Sequence, residues 1–323
     1  MKNIKFYHIC LLLIAIIYSG CEVSDPMGSE QYQKDIYIIG ANEKVKVFDL
    51  PYGDKQETFI SLSVSGTHKI DRDVTMKLGE KNELIEWYNN KFLLDDSVKY
   101  RRLNSDLFTM PSWEVTLKAG EIHTNFPFTI NSSSLHCDSL YAITFAIESA
   151  SDYQISESGN ELIFTLKLTN PFSGEYNMDA KKFEVLQELQ PDGTTQWVEQ
   201  GTGSTVNVMR ILTACSAKEV RFFHEATKQK LSEYSDSWDP NKDYFNAIEN
   251  SCIKFVQNGN SNTFSVATWD AMDIVDGEAE FKQEKIIGKE KNSVVYTFSF
   301  WYDYMDGSTR KRMKGTFKRE ETI

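Results

Sequence analysis

Asp270, Asp273, Asp276, Glu278 and Glu280 place five carboxylates in one short stretch, a run of the kind that can hold a hard cation or move a proton. A calcium loop of the helix-loop-helix type requires an oxygen ligand at its third position, where this chain has Met272. The run therefore reads as acids on a solvated loop and strand face, with an irregular calcium site as the open alternative. His68, His123, His136 and His224 show no metal-ligand spacing. No Gly-x-Ser-x-Gly elbow, phosphate-cradling loop or His-Glu-x-x-His helix occurs, so nucleophilic, phosphoryl and zinc chemistry lack a signature. Two glycosidase carboxylates brought roughly 5–10 Å apart by folding would leave no linear motif. The expectation is a protein that is not an enzyme, with no catalytic residue, cofactor or metal.

A different chemistry suits Tyr234-Ser235-Asp236-Ser237-Trp238-Asp239-Pro240-Asn241-Lys242-Asp243-Tyr244-Phe245. A sugar presents an apolar C–H face and a rim of hydroxyls, so its site wants an aromatic platform beside short polar acceptors. Here Tyr234, Trp238 and Tyr244 offer the platform, and Asp236, Asp239 and Asn241 the acceptors. The competing reading is that Trp238 or Tyr244 folds back to plug the end of a barrel, as large aromatics are mostly buried. Trp197, Trp269 and Trp301 are further candidates, Trp301 with Arg310 or Arg312 stacked on it.

These residues must be positioned by strands. Ile36 to Ile39, Val45 to Leu50, Thr58 to Val64 and Val74 to Leu78 are short alternating runs bounded by turn residues. One helix interrupts them, with Asn82 as cap, Glu83 and Glu86 at its positive end, and Leu84, Trp87, Tyr88 and Lys91 at helical spacing. Strands resume at Trp113 to Leu117, turn at Ala119-Gly120-Glu121, and continue through Phe126 to Ile130, Tyr141 to Ile147 and Leu162 to Leu168. About seven strands in this half predict an immunoglobulin-like sandwich. Asn170-Pro171-Phe172-Ser173-Gly174 breaks the pattern and is the expected domain boundary. The second half reads as an antiparallel barrel or sandwich: Lys182 to Leu189, a turn at Pro191-Asp192-Gly193, then Thr205 to Leu212 and Val220 to His224. Its last hairpin puts Val294, Tyr296, Phe298, Phe300, Tyr302 and Tyr304 on one face, turns at Asp306-Gly307, and returns with Lys311, Met313, Gly315 and Phe317. Arg310, Arg312, Lys314 and Lys318 then point the other way, towards water.

The start of the chain reads as an address. Lys2 and Lys5 precede an apolar run from Ile9 to Tyr18, too short to span a bilayer, where about 20 apolar residues are needed. Ser19 and Gly20 lead into Cys21, the arrangement at which a lipoprotein signal is cleaved and the cysteine acylated, although Tyr18 departs from the usual Leu. Residues 1–20 are thus expected as signal, 21–34 as a polar tether, 35–170 as the sandwich and 171–323 as the second β domain. Without Lys2 and Lys5, 33 basic residues face 47 acidic ones, a net charge of −14. Such a body lacks the basic stripe that nucleic acid demands, and the membrane is reached only through the lipid. Cys215 and Cys252 lie in one half and can pair, but Cys137, Cys215 and Cys252 are all expected as buried core residues.

Taken together, Tyr88-Asn89 ending the helix, Met110-Pro111, the run Val115-Thr116-Leu117-Lys118-Ala119-Gly120-Glu121 and the Tyr141 strand resemble the two-domain lipoproteins of Bacteroides. In that family an Ig-like domain of unknown function, also found before some endo-β-N-acetylglucosaminidase-like proteins, precedes a small β domain of unknown function. Phe172-Ser173-Gly174-Glu175-Tyr176 and the aromatic hairpin resemble the latter, whereas Thr144 stands where the former usually has proline. The acids from Asp270 fall at offsets zero, three, six and eight rather than the zero, three, five and seven of the family-eighteen hydrolases, and the second half is too short for their barrel. Asp96-Ser97-Val98 and Asp138-Ser139-Leu140 resemble Bacteroidetes O-glycosylation triplets. The resemblance implies an outer-membrane, surface-exposed lipoprotein acting as an accessory of glycan uptake, with a glycan or transporter components as partners. The alternative is a structural or adhesive lipoprotein that binds a protein.

Overall fold

The computed structural model describes residues 28, 30–96, 98–225, 227–234, 239–288 and 291–322. Cys21 and the segment before it lie outside the described residues, as do Asp236 and Trp238. Among the described residues no helix is long and apolar enough to cross a membrane.

The first domain contains strands Asp35–Ile38 (β1), Val45–Pro51 (β2), Gln56–Val64 (β3), Val74–Gly79 (β4), Tyr100–Arg102 (β5), Phe108–Thr109 (β6), Glu114–Leu117 (β7), His123–Ile130 (β8), Leu140–Ala150 (β9), Gln154–Ile155 (β10) and Glu161–Thr169 (β11). They form two sheets, β10-β1-β3-β8-β6 and β2-β11-β9-β4-β7, with β5 beside β9. Three of the pairings, β1 with β10, β2 with β11 and β5 with β9, are parallel. The facing sides of the sheets supply one core of Ile36, Leu62, Met76, Phe126, Phe128, Phe145 and Phe164. This is the sandwich the alternation predicts, although β5, β6 and β10 are too short to show a period. Glu83–Phe92 is the helix α1, seated on β9 and β11 through Leu84, Ile85, Ala142 and Ile163. Asn82 makes no side-chain cap; its Oδ1 instead faces Thr144 Oγ1 at 3.5 Å.

The second domain is a closed antiparallel barrel of eight strands: Gly174–Leu189 (β12), Thr195–Ala214 (β13), Glu219–Phe223 (β14), Cys252–Gln257 (β15), Thr263–Thr268 (β16), Ile274–Ile287 (β17), Asn292–Asp306 (β18) and Thr309–Thr322 (β19). An eight-stranded barrel is just wide enough for side chains to fill it. Alternate residues point inward and pack Tyr176, Phe222, Phe255, Phe264, Phe298, Phe300 and Phe317 into one aromatic core. Gly315 lies on this inner face between Met313 and Phe317, where a Cβ would stand 2.3 Å from Asp179 O, so only glycine lets β12 and β19 approach. The seam is between β13 and β14, which pair only at Thr213↔Arg221 and Ala214↔Val220. Beyond those pairs Gln229 substitutes for a strand, accepting from Ile211 N at 2.9 Å and donating to Met209 O at 3.1 Å. A second helix, Pro240–Ser251 (α2), connects β14 to β15 and packs on the outer face of those strands through Ile248 against Phe223 and Cys252.

Candidate functional site

Strand register builds the most complete candidate surface. On the outer face of the barrel Ser265 is opposite Glu278, Glu278 opposite Trp301 and Trp301 opposite Lys314. One step along, Thr263, Glu280, Ser299 and Thr316 follow in the same way. The period of two in β16 to β19 thus places two rows of outward side chains side by side. Glu278, Trp301, Lys314 and the whole second row line an open hollow of about 520 Å³. The indole is held: its Nε1–H donates to Glu278 Oε1 at 3.1 Å, and the Arg312 guanidinium stacks 4.8 Å from the ring centre. Chemically this is an aromatic platform ringed by two carboxylates, three hydroxyls and an ammonium group.

Arg312 is positioned from beneath. Asp303 is fully buried although it faces out of the barrel, and it accepts bonds from Arg310 (2.7 Å) and Arg312 (2.6 Å). Trp197, on the β12–β13 hairpin, covers Arg310 at 4.4 Å, and Glu199 from the same strand reaches Lys314 at 3.2 Å. The expectation that Arg310 and Arg312 simply face water is therefore corrected. The β12–β13 hairpin leans over them, and a buried carboxylate must be paired.

A second hollow, about 540 Å³, opens at the mouth of the barrel and is lined by Lys182, His224, Glu225, Tyr304 and Asp306 among others. His224 Nδ1 lies 2.8 Å from Tyr302 Oη and its Nε2 3.0 Å from Glu225 Oε1, while Tyr304 donates to the same carboxylate at 2.9 Å. The His224 bond, then those of Lys182 and Tyr304, hold the Glu225 carboxyl well below the usual range. Glu225 also adopts a φ of +46°, a left-handed conformation costly for a residue with a Cβ. His224 shows no ligand spacing in sequence, because its partner Tyr302 comes from a strand 78 residues further along the chain.

The residues singled out between Tyr234 and Phe245 take other places. Tyr234 is buried and donates to Lys228 O at 2.9 Å, and its ring packs 6.0 Å from Tyr244, which itself leans on Phe223. Asp239 caps α2, its Oδ1 accepting from Lys242 N at 3.0 Å, with Pro240 in the first turn. The Asp-Pro pair is a helix-start signal, and from Pro240 onward the stretch read as a loop is helix. Asn241 Nδ2 donates across the domain junction to Asp95 O at 3.3 Å. Asn241 and Tyr244 line a third hollow of about 270 Å³ between the domains, shared with Asp96, Val98, Asp138 and Leu140. Of the predicted acceptors and platforms, these two alone share a hollow among the described residues. Trp269 braces the junction, with the Arg221 guanidinium 4.5 Å above it and His136 6.3 Å away. His136, Cys137 and Asp138 offer ligand atoms within 4.8 Å of one another, but both Asp138 oxygens are taken by Arg221 at 2.6 Å.

A family model for an N-terminal domain matches residues 32–154, and a C-terminal family model matches residues 160–318. The two matches are to separate models, one for each domain of the chain. Solved structures share the architecture. A multidomain protein including DUF1735 from Bacteroides ovatus is 14% identical, with a TM-score of 0.58 over 91% of this chain and 96% of that one. A Bacteroides ovatus protein of unknown function reaches 0.60 at 14% identity, covering 90% and 96%. An auxiliary nutrient binding protein from Bacteroides thetaiotaomicron reaches 0.56 at 13% identity, covering 88% and 93%. At such identity the likeness is one of fold. No curated protein matches the chain.

Proposed function

We propose that this protein is a non-catalytic, lipid-anchored accessory that binds glycan at the bacterial surface for an uptake system, with the Trp301 hollow as its binding face. The observation that carries the reading is the double row on β16 to β19, which places an immobilised indole among groups suited to sugar hydroxyls. A pyranose ring would lay its C–H face on Trp301, Glu278 and Glu280 would accept hydroxyl bonds, and Lys314 would donate one. The lipoprotein-like start of the chain and the shared fold with a nutrient binding protein support the same reading. The hollow at Asn241 and Tyr244, flanked by Asp239, is the smaller alternative face for the same ligand class.

A glycan array probed with the soluble chain from residue 22 onward tests this, followed by titration of the strongest hit. Trp301→Ala is expected to weaken it about tenfold, the weight of one stacking contact. Loss with Tyr244→Ala instead would move the site to the domain junction. Mass spectrometry of the native N-terminus is expected to show an acylated Cys21; cleavage elsewhere would remove the anchor. A second reading, a partner-binding surface protein, is favoured by α1, which leaves the neighbouring rings of Trp87 and Phe92 exposed with Lys91 over both. Silence of the array with the fold intact would favour that reading.

A further inference from the structure

The fold treats the three cysteines unequally. Cys252 is completely buried beneath α2 with Phe223 and Ile248, and burial pushes its thiol up to about 12. Cys137 and Cys215 are partly exposed, belong to different domains, and lie at the junction close enough for each thiol to act electrostatically on the other. Cys215 directly follows β13, its amide bonded to Glu219 O at 2.9 Å and its thiol to Thr213 O at 3.4 Å. Cys137 directly precedes Asp138, which accepts two 2.6 Å bonds from Arg221. Arg221 in turn pairs through its backbone with Thr213, two residues before Cys215, so one residue ties both segments, its strand to β13 and its guanidinium to Asp138. Asn170 adds a further tie, donating to Ser216 O and Glu219 O at 2.8 Å each. Of the three cysteines expected in the core, Cys252 is there and Cys137 and Cys215 are not, and the alternative pairing of Cys215 with Cys252 gives way to this arrangement.

We propose that Cys137 and Cys215 are the site of an interdomain disulfide in the mature protein, a covalent clamp beside the Asp138–Arg221 ion pair. The oxidant is a disulfide of the glutathione or thiol-oxidoreductase class, and only its supply in the cell rests on the export reading above. Cys137, beside the Arg221 guanidinium that favours a thiolate, is the first to attack the oxidant. Its Sγ attacks one sulfur of the oxidant, whose other sulfur leaves as a thiol after taking a proton. Cys215, giving up its own proton, then attacks Cys137 Sγ and expels the second thiol. Two cysteine thiols lose two electrons and two protons, and the oxidant's disulfide becomes two thiols. The bond closes the loop from residue 137 to residue 215, and restricting so long a loop in the unfolded chain stabilises the docked domains.

The test uses the soluble chain from residue 22 onward, held with oxidised glutathione, unfolded in guanidinium with iodoacetamide and digested with trypsin. The expected product joins peptide 211–218 to peptide 119–167 at two hydrogens below their summed mass, with Cys252 alkylated. Cys252→Ala keeps the link, and Cys215→Ser abolishes it and leaves Cys137 as the mixed disulfide with glutathione. Reductant is expected to lower the melting midpoint of the wild type by several degrees and leave the Cys137→Ser/Cys215→Ser chain unmoved. Alkylation of Cys137 and Cys215 together, a link that includes Cys252, or an equal response of the two chains to reductant overturns the proposal. No glycan enters these readouts, so they stand or fall apart from the proposed function.

Discussion

The two domains solve the same problem, burying one face of a β-sheet, with opposite treatments of charge. In the sandwich the core is apolar and the ion pairs, such as Lys77–Glu148 and Lys118–Asp73, sit on exposed side chains where each contributes little. The barrel places charge under cover. Asp303 is fully buried between two arginines, Glu225 is bound by a lysine, a histidine and a tyrosine, and Arg210 is buried with Nε and Nη2 lacking partners among the described residues. Buried charge is costly to place and rigid once paired. The contrast teaches that the barrel, unlike the sandwich, fixes charged side chains in place by pairing them under cover.

The comparison can be broken first at the cores. Phe298 touches the rings of Phe172, Tyr176, Phe255, Phe264 and Phe281, and Phe298→Ala is expected to cost about 4–5 kcal/mol in guanidinium unfolding. Phe164→Ala, which loses Phe48, Phe128 and Phe145, is expected at about 3–4 kcal/mol. Equal costs would show that the two cores are packed alike. Next comes charge: Asp303→Asn leaves two guanidinium groups without their carboxylate and is expected to cost about 3 kcal/mol, against under about 0.5 for Glu148→Gln on the sandwich.

A smaller effect has a pH signature. The Glu225 carboxyl is held below its ordinary 4.5, so its stabilisation is fully present above that pH and fades as pH falls towards the folded value. Glu225→Gln is expected to lose about 1–2 kcal/mol at pH 7, with the gap to wild type closing below about pH 4.5 in a series of thermal melts. A gap that stays constant with pH would show that the charge of Glu225 carries none of it. The smallest expected change is in the stability of Trp301→Ala, within about 1 kcal/mol, because the ring is only half-buried on the outer face. A large loss there would make Trp301 a structural cover for Arg312 and remove it as a platform.

Much of the fold was legible because a period of two survives in any strand long enough to show it. Tyr296, Phe298, Phe300, Tyr302 and Tyr304 do fall on one face, and Asp306-Gly307 does turn the hairpin, with Gly307 at φ +62°. The strands of two or three residues escaped notice, as did α2, whose start signal at Asp239-Pro240 was overshadowed by the aromatic content of the stretch. The candidate site was less legible. Trp301 was visible as an outward residue of β18, but its membership in a row with Ser265, Glu278 and Lys314 depends on the register of four strands.

The amino-acid sequence by itself determined which of the longer segments become strands and that both halves bury apolar faces. Those properties depend on neighbours a few residues apart. Only the tertiary structure decided that Asp303 is covered, that Asp138 meets Arg221 and that Cys137 meets Cys215. Each of the last two contacts joins residues that the chain separates by dozens of positions and that no local pattern marks as partners. Closure of the barrel and docking of the sandwich against it set those distances, because the packing of two cores fixes the relative position of everything attached to them.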